Sequence, residues 1–295
     1  MAVRPDYNQR YIATGERPQN HLMDAKVADR FSGYPRLQIL TSEIDNLVNT
    51  TAHPPLGLCA DVSQFQYVGA KFDSILIDPP WLEYAQRSDV PRFVLPWQEL
   101  ANLRIGAIAS NPSFCFLWCG SRHVEEGMYC LHAWGFKRVE DICWVKTNKS
   151  GRVATDLQMN PDQVLHTSIE HCLVGMKGNL KRSTDTHAVL ANIECDVIIA
   201  EEPEDPSDTS KPEAIFQLIE HFSVGTRRVQ LFGSNLRPGW VTIGPDVTIS
   251  NFQHHAYNPE HYLLLALLAR QLQPLQLLQS SAASKHAAGT QRQPA

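Results

Sequence analysis

Four consecutive residues, Asp78-Pro79-Pro80-Trp81, set a carboxylate, two ring-locked backbone positions and a broad aromatic ring directly after the apolar run FDSILID (72–78). Because proline fixes its own φ, the Pro79 carbonyl is a rigid acceptor beside the Asp78 carboxylate. Two acceptors side by side suit an exocyclic amine whose lone pair is delocalised into a ring, as in adenine. Such a nitrogen is a poor nucleophile, and holding both of its hydrogens favours the sp³ character it must gain on alkylation. Trp81 would supply the flat face on which an extruded base stacks. Without the aromatic residue, Asp-Pro-Pro is also an ordinary strand end with a capping carboxylate. Trp81, directly after ILID, tips the balance towards chemistry.

Other residues could serve such a site. Lys177 follows an apolar run close to Gly178 and could contact a cofactor or a phosphate backbone. Basic residues recur between apolar runs: Lys137-Arg138, Lys146, Lys149, Arg152, Lys181-Arg182 and Arg227-Arg228. A groove lined by them would hold phosphates, with an affinity that falls steeply with salt. Any one of them is otherwise a solvated surface charge. Tyr84 and Trp97 flank the tetrapeptide, either as packing or as gates for a base. His171 and the pair His254-His255 lack spaced Cys or acidic neighbours, so metal ligation is not expected of them.

The elements that must position these residues follow from hydrophobic periodicity. Strands are expected in LGLCADV (56–62), FDSILID (72–78), SFCFLWCG (113–120), FKRVEDICWVKTN (136–148), HCLVGMKG (171–178), CDVIIAEE (195–202) and RRVQLFG (227–233). Helices are expected in VADRFSGYPRLQILTSEIDNLV, in PWQELANLRIGAIA (96–109), at 122–134 and in KPEAIFQLIEHF (211–222). Strands alternating with helices indicate a parallel or mixed α/β sheet covered on both faces. Ligands of such sheets bind at the carboxyl ends of the strands, where the tetrapeptide lies. The polar stretches 149–166 and 179–194 read as loops.

Four regions are expected: a helical N-terminal lead (1–55), the sheet domain (56–255), a Leu-rich helix (256–273) and a disordered Gln/Ala/Ser-rich tail (274–295). With 43% apolar residues and a net charge of −5, the 295-residue chain is no globally basic nucleic-acid coat, though a local basic face is compatible with that sum. No run reaches the roughly 20 apolar residues of a membrane span, and MAVRPDYNQR lacks a secretory h-region. The seven cysteines form no C-x-x-C pair and mostly sit in apolar runs, so reduced thiols of a cytosolic or nuclear protein are expected, without structural zinc.

Beyond the tetrapeptide, a set of longer blocks resembles the MT-A seventy-kilodalton family of N6-adenosine methyltransferases: YIATGERPQNHLMDAKVADRFSGYP, FDSILIDPPW, FLWCGS, WGFKRVEDICWVKTNKS, EHCLVGMKGNLKRSTD, CDVIIAEEPE, KPEAIFQLIEHF, GTRRVQLFG and LRPGWVTIGP. The resemblance runs from about residue 7 to residue 252. It implies a Rossmann-like S-adenosylmethionine-dependent methyltransferase fold with permuted motif order and no metal. It also implies methyl transfer to adenine N6 in messenger RNA, in the nucleus, with Asp78, Pro79, Pro80 and Trp81 as the catalytic signature. Asp61-Val62, Asp78, Lys177 and Asn235 would hold the cofactor, and Lys137, Arg138, Lys181 and Arg182 the nucleic acid.

YIATGERPQN, KRSTD and EEPE resemble the family's companion branch, whose members pair with a paralogous catalytic-type subunit and present RNA. That branch typically loses the acidic-Pro-Pro-aromatic signature, which is intact here. Conversely, Gln230, Ser234 and Pro245-Asp246 replace residues that clasp the cofactor in the catalytic branch. The intact tetrapeptide favours a catalytic subunit acting within a heterodimer; the strongest rival is a non-catalytic RNA-presenting companion, and a third reading is a DNA-adenine methylase subunit.

Overall fold

The computed structural model describes residues 13–21, 34–63, 70–85, 93–149, 164–165, 167–180, 194–205, 208–223 and 225–252. The expected helix at 256–273, the tail at 274–295, Lys181-Arg182, Arg152 and His254-His255 lie outside them.

Eight strands form one sheet: β1 (Leu56–Cys59), β2 (Phe72–Ile77), β3 (Ala109–Cys119), β4 (Lys137–Thr147), β5 (Ile169–Lys177), β6 (Val197–Glu201), β7 (Arg228–Leu231) and β8 (Trp240–Gly244). Their spatial order is β1-β8-β7-β2-β3-β5-β4-β6. Only β5 runs against its neighbours, antiparallel to both β3 and β4. The sheet is therefore mixed, in a Rossmann-like methyltransferase architecture. From the central β2 the chain proceeds to β3 on one side, while β7 returns to flank β2 on the other. The end of β2 is thus a topological switch point, where open α/β sheets hold their ligands.

β2 is buried at all six positions, as a strand covered on both faces must be. Alternate residues feed two cores. Ile75, Ile77, Cys115, Leu117 and Leu173 pack with Leu100, Ile105 and Leu131 on one face. Leu76, Phe114, Phe116, Trp118, Ile142, Trp144, Cys172 and Val174 pack with Ile215 and Ile219 on the other. Each fully buried aliphatic side chain contributes roughly 1.5–3 kcal/mol.

The helices are α1 (Pro35–Thr51), α2 (Leu82–Ala85), α3 (Trp97–Ala101), α4 (Ile105–Ile108), α5 (Val124–Ala133) and α6 (Ala214–Phe222). The single helix expected over 96–109 is two short ones, and β3 begins at Ala109. WVTIG, quoted above only for its resemblance, is the fully buried strand β8. Residues 137–147 form one continuous strand. Leu40, Ile44 and Leu47 are the buried face of α1, which packs on α6.

Candidate functional site

Side chains two residues apart share a face of a strand. Following each row of the α6-side core to the carboxyl end of the sheet, the apolar residues give way to charge. Leu76 is succeeded by Asp78 just past the end of β2, and Trp144 by Lys146 in β4. In β5, which runs the other way, Cys172 is preceded by Glu170. Lys211, just ahead of α6, reaches over the same end. The four charges form a chain. Lys211 Nζ lies 3.2 Å from Asp78 Oδ1 and 3.3 Å from Glu170 Oε2, and Lys146 Nζ is 2.8 Å from Glu170 Oε1.

This chain is nearly dry: the Glu170, Lys146 and Lys211 side chains are 0%, 2% and 5% exposed. Removing such charges from water costs several kcal/mol each unless they are paired. Here two ammonium groups face two carboxylates. Further groups complete the shell. The Tyr84 hydroxyl reaches Glu170 Oε2 at 3.3 Å, Lys211 donates to the Thr209 carbonyl at 2.8 Å, and Lys211 Nζ sits 4.4 Å from the Tyr84 ring centroid. Tyr84, 4% exposed, is therefore packing and a hydrogen-bonding group of the site.

The tetrapeptide lies at the expected edge, yet its three expected contacts with a base are turned inward. Asp78 is paired with Lys211. The Pro79 carbonyl accepts the Trp81 amide at 2.8 Å, and the Pro80 carbonyl accepts the Leu95 amide at 3.1 Å. Trp81 is not an open stacking surface. It is 1% exposed, its Nε1–H donates to the Trp118 carbonyl at 2.7 Å, and its face is stacked on His123 with centroids 4.8 Å apart. A large ring beside a Pro-Pro turn is here a core side chain.

Of the residues expected to hold a cofactor, Asp61 and Asn235 follow the carboxyl ends of β1 and β7, on the same edge as Asp78. Asp61 is exposed and accepts the Ser63 hydroxyl at 2.7 Å and the Ser63 amide at 2.9 Å, which together lower its pKa. Asn235 is exposed and its carbonyl accepts the Thr242 hydroxyl at 2.9 Å. Val62 belongs to the core. Lys177 is a correction. Because β5 is antiparallel, Lys177 pairs with Ser113 at the amino end of β3, six residues from the Cys119–His171 level. At about 3.3 Å per residue it is about 20 Å along the sheet from the Asp78 edge. Its ammonium donates to the Gly106 carbonyl at 2.7 Å, and burial with nearby Lys71 lowers its pKa.

The turn after β7 is closed on itself. Phe232 adopts a left-handed φ of 64°, a strained choice for a residue with a side chain. A Cβ placed on Gly233 would come within 2.5 Å of the Gln230 side chain, and one on Gly244 within 2.2 Å of the Gly233 carbonyl. Asp61, Asp78 and Asn235 thus share one edge of the sheet, with Lys177 at the other and Val62 in the core.

Several basic residues read above as phosphate contacts have other duties. Lys146 is in the buried chain, Arg228 is buried, and Arg227 pairs with Asp73 at 2.7 Å at the amino end of β2. Lys137 and Arg138 are exposed at the amino end of β4, beside Met176 and Gly175 of β5 and remote from Asp78. His171 pairs with Asp141 at 3.0 Å. Trp97 is edge-on to Tyr129. Cys115, Cys119, Cys130 and Cys172 are buried with pKa values raised by desolvation, that of Cys130 to about 12, whereas Cys59 and Cys195 are exposed. A cavity of about 510 Å³ lies elsewhere, between Phe114, Ile142 and Met176 of the sheet and Phe222 of α6.

Residues 15–20, ahead of α1, also reach the carboxyl edge. The fully buried Arg17 grips Glu202 with two bonds of 2.8 and 2.9 Å and donates to the Thr167 carbonyl at 3.0 Å. Asn148 accepts the Arg17 amide at 2.9 Å and donates to the Gly15 carbonyl at 2.7 Å. The GERPQN block is thus a structural clasp across the ends of β4 and β6.

The MT-A70 family profile matches residues 72–246. The chain is 45% identical over 264 residues to the N(6)-adenosine-methyltransferase non-catalytic subunit METTL14 of Drosophila melanogaster, covering 85% of this chain and 66% of that protein. It is 45% identical over 271 residues to the same-named protein of Danio rerio, covering 88% and 59%. With the N(6)-adenosine-methyltransferase catalytic subunit METTL3 of Homo sapiens it shares 36% identity over 194 residues, or 65% and 31% of the two chains. It therefore spans less than two thirds of the length of these relatives.

Proposed function

Since the chain belongs to the MT-A70 family, we propose that it is the non-catalytic, RNA-presenting subunit of a nuclear mRNA N6-adenosine methyltransferase, paired with a catalytic-type paralogue. The observation that carries this reading is the inward engagement of the whole tetrapeptide. The Asp78 carboxylate is paired with Lys211, the Pro79 carbonyl accepts the Trp81 amide, and the Trp81 ring is buried against His123. The signature that elsewhere would orient an amine here braces the end of β2. The METTL14 relatives, themselves named as non-catalytic subunits, favour the same reading.

The test is Asp78→Asn, reconstituted with the catalytic-type partner. Methylation of an RNA oligonucleotide should stay within about twofold of the unaltered complex, and the isolated chain should bind no S-adenosylmethionine by calorimetry. A loss beyond about tenfold, where one decade is about 1.4 kcal/mol of barrier, would refute the proposal.

One observation favours the alternative of an active subunit. Asp78 stands at the switch point with 18% of its side chain exposed, so an incoming amine could displace Lys211. Calorimetric binding of S-adenosylmethionine to the isolated chain would select that alternative. Parallel labelling of RNA and DNA oligonucleotides decides between mRNA and DNA as substrate, and imaging of the tagged chain tests the nuclear assignment.

A further inference from the structure

His221 lies on α6, outside the site above, with only 8% of its side chain exposed. Its Nε2 is 2.7 Å from Asp45 Oδ1 on α1, and its Nδ1 is 2.9 Å from Glu194 Oε1, just ahead of β6. A carboxylate only accepts hydrogen bonds, and a neutral imidazole donates from one nitrogen alone. Satisfying both contacts takes the doubly protonated ring. We propose that His221 is a pH-sensitive staple that docks the N-terminal helix α1 and the lead into β6 onto α6 while it is an imidazolium.

Among the described residues, the two groups that hydrogen-bond the ring are both carboxylates, which favours that sign. Asp45 comes from α1 and Glu194 from the segment before β6. Glu220 on α6 also bears on the site, but it accepts from Trp240 Nε1 at 2.7 Å and Arg237 Nε at 3.1 Å, with Arg228 nearby. Burial alone would discharge the ring, yet the bonds to Glu194 and Asp45 outweigh it and raise its pKa above the ordinary histidine value. A folded-state pKa above the unfolded one means the stabilisation is complete below about pH 6.5 and is lost as pH rises through the folded value. On deprotonation one carboxylate would face a bare nitrogen lone pair. The contact to α1 is the weaker link, because Asp45 is 53% exposed. The face released would be apolar, since Leu40, Ile44 and Leu47 are the buried residues of α1.

The experiment uses the full chain. Nitrogen NMR should find both His221 ring nitrogens protonated at pH 6. Hydrogen-exchange protection of the Leu40, Ile44 and Leu47 amides, corrected for intrinsic rates, should fall several-fold between pH 6 and pH 9. Asp45→Asn, a half-exposed change that keeps the fold, should flatten that fall, and His221→Gln should abolish it. An unprotonated ring nitrogen at pH 6, or α1 protection that falls equally in Asp45→Asn, would overturn the proposal.

Discussion

At the carboxyl end of the sheet Lys146, Glu170 and Lys211 are almost removed from water, whereas at the amino end Lys137 and Arg138 are exposed and Lys71 and Lys177 donate to backbone carbonyls. Strand β4 carries a lysine near each end, Lys137 and Lys146. What differs is what covers them. α6 and its leader bring Lys211 over one end, and the Arg17 clasp seals the corner beside it. Charges at the covered end must be paired with each other, whereas Lys137 and Arg138 at the open end can use water. A family signature placed at the covered end can therefore be held by its surroundings as structure.

Five variants probe that contrast. The largest effect is expected from Glu170→Leu, which removes the carboxylate between two buried ammonium groups; urea unfolding should register a loss of about 3–5 kcal/mol. The matched change at the open end, Lys177→Leu, should cost less than about 1 kcal/mol, and equal losses would erase the distinction. Arg17→Ala, which leaves buried Glu202 without its guanidinium, should cost about 3 kcal/mol, and a negligible loss would mean that water enters the corner. Lys211→Met keeps the Lys146–Glu170 pair and should cost about 1–3 kcal/mol; a larger loss would make Lys211 the anchor of the chain. Replacing both Lys137 and Arg138 by Ala should change stability by no more than about 0.5 kcal/mol. If the open end grips single-stranded RNA, each lost phosphate contact should lower the slope of log affinity against log salt by about 0.7. An unchanged slope would remove these two residues from the interface.

Strands were the most legible elements, because FDSILID and FLWC are continuous apolar runs and a strand buried on both faces requires one. The break at Asn102–Arg104 was hidden because polar residues interrupt a helix and decorate its surface alike. The polar start of β3, Ser110-Asn111-Pro112, resembles a loop for the same reason. The site was only partly legible. Asp78 follows from its place after β2, and the deeper chain could not be paired in advance. Lys146 and Glu170 meet through an antiparallel register, and Lys211 arrives from a distant segment. A faint signal existed: Asp78, Lys146 and Glu170 each stand two positions beyond a buried residue on the same face, Leu76, Trp144 and Cys172. Lys177 failed for the same topological reason, since reversing one strand sends its last residue to the far edge.

The Arg17 clasp bears on how the chain is made. Its two halves are separated by 185 residues, so on the ribosome Arg17 is synthesised long before Glu202 exists. Contacts of such span close late and slow folding, because the intervening loop must be ordered first. Until then the carboxyl corner of the nascent sheet is open and Arg17 must stay solvated or be shielded by a chaperone. A chain truncated just before Glu202 is accordingly expected to expose its N-terminal segment to protease, where a chain cut after β8 would protect it.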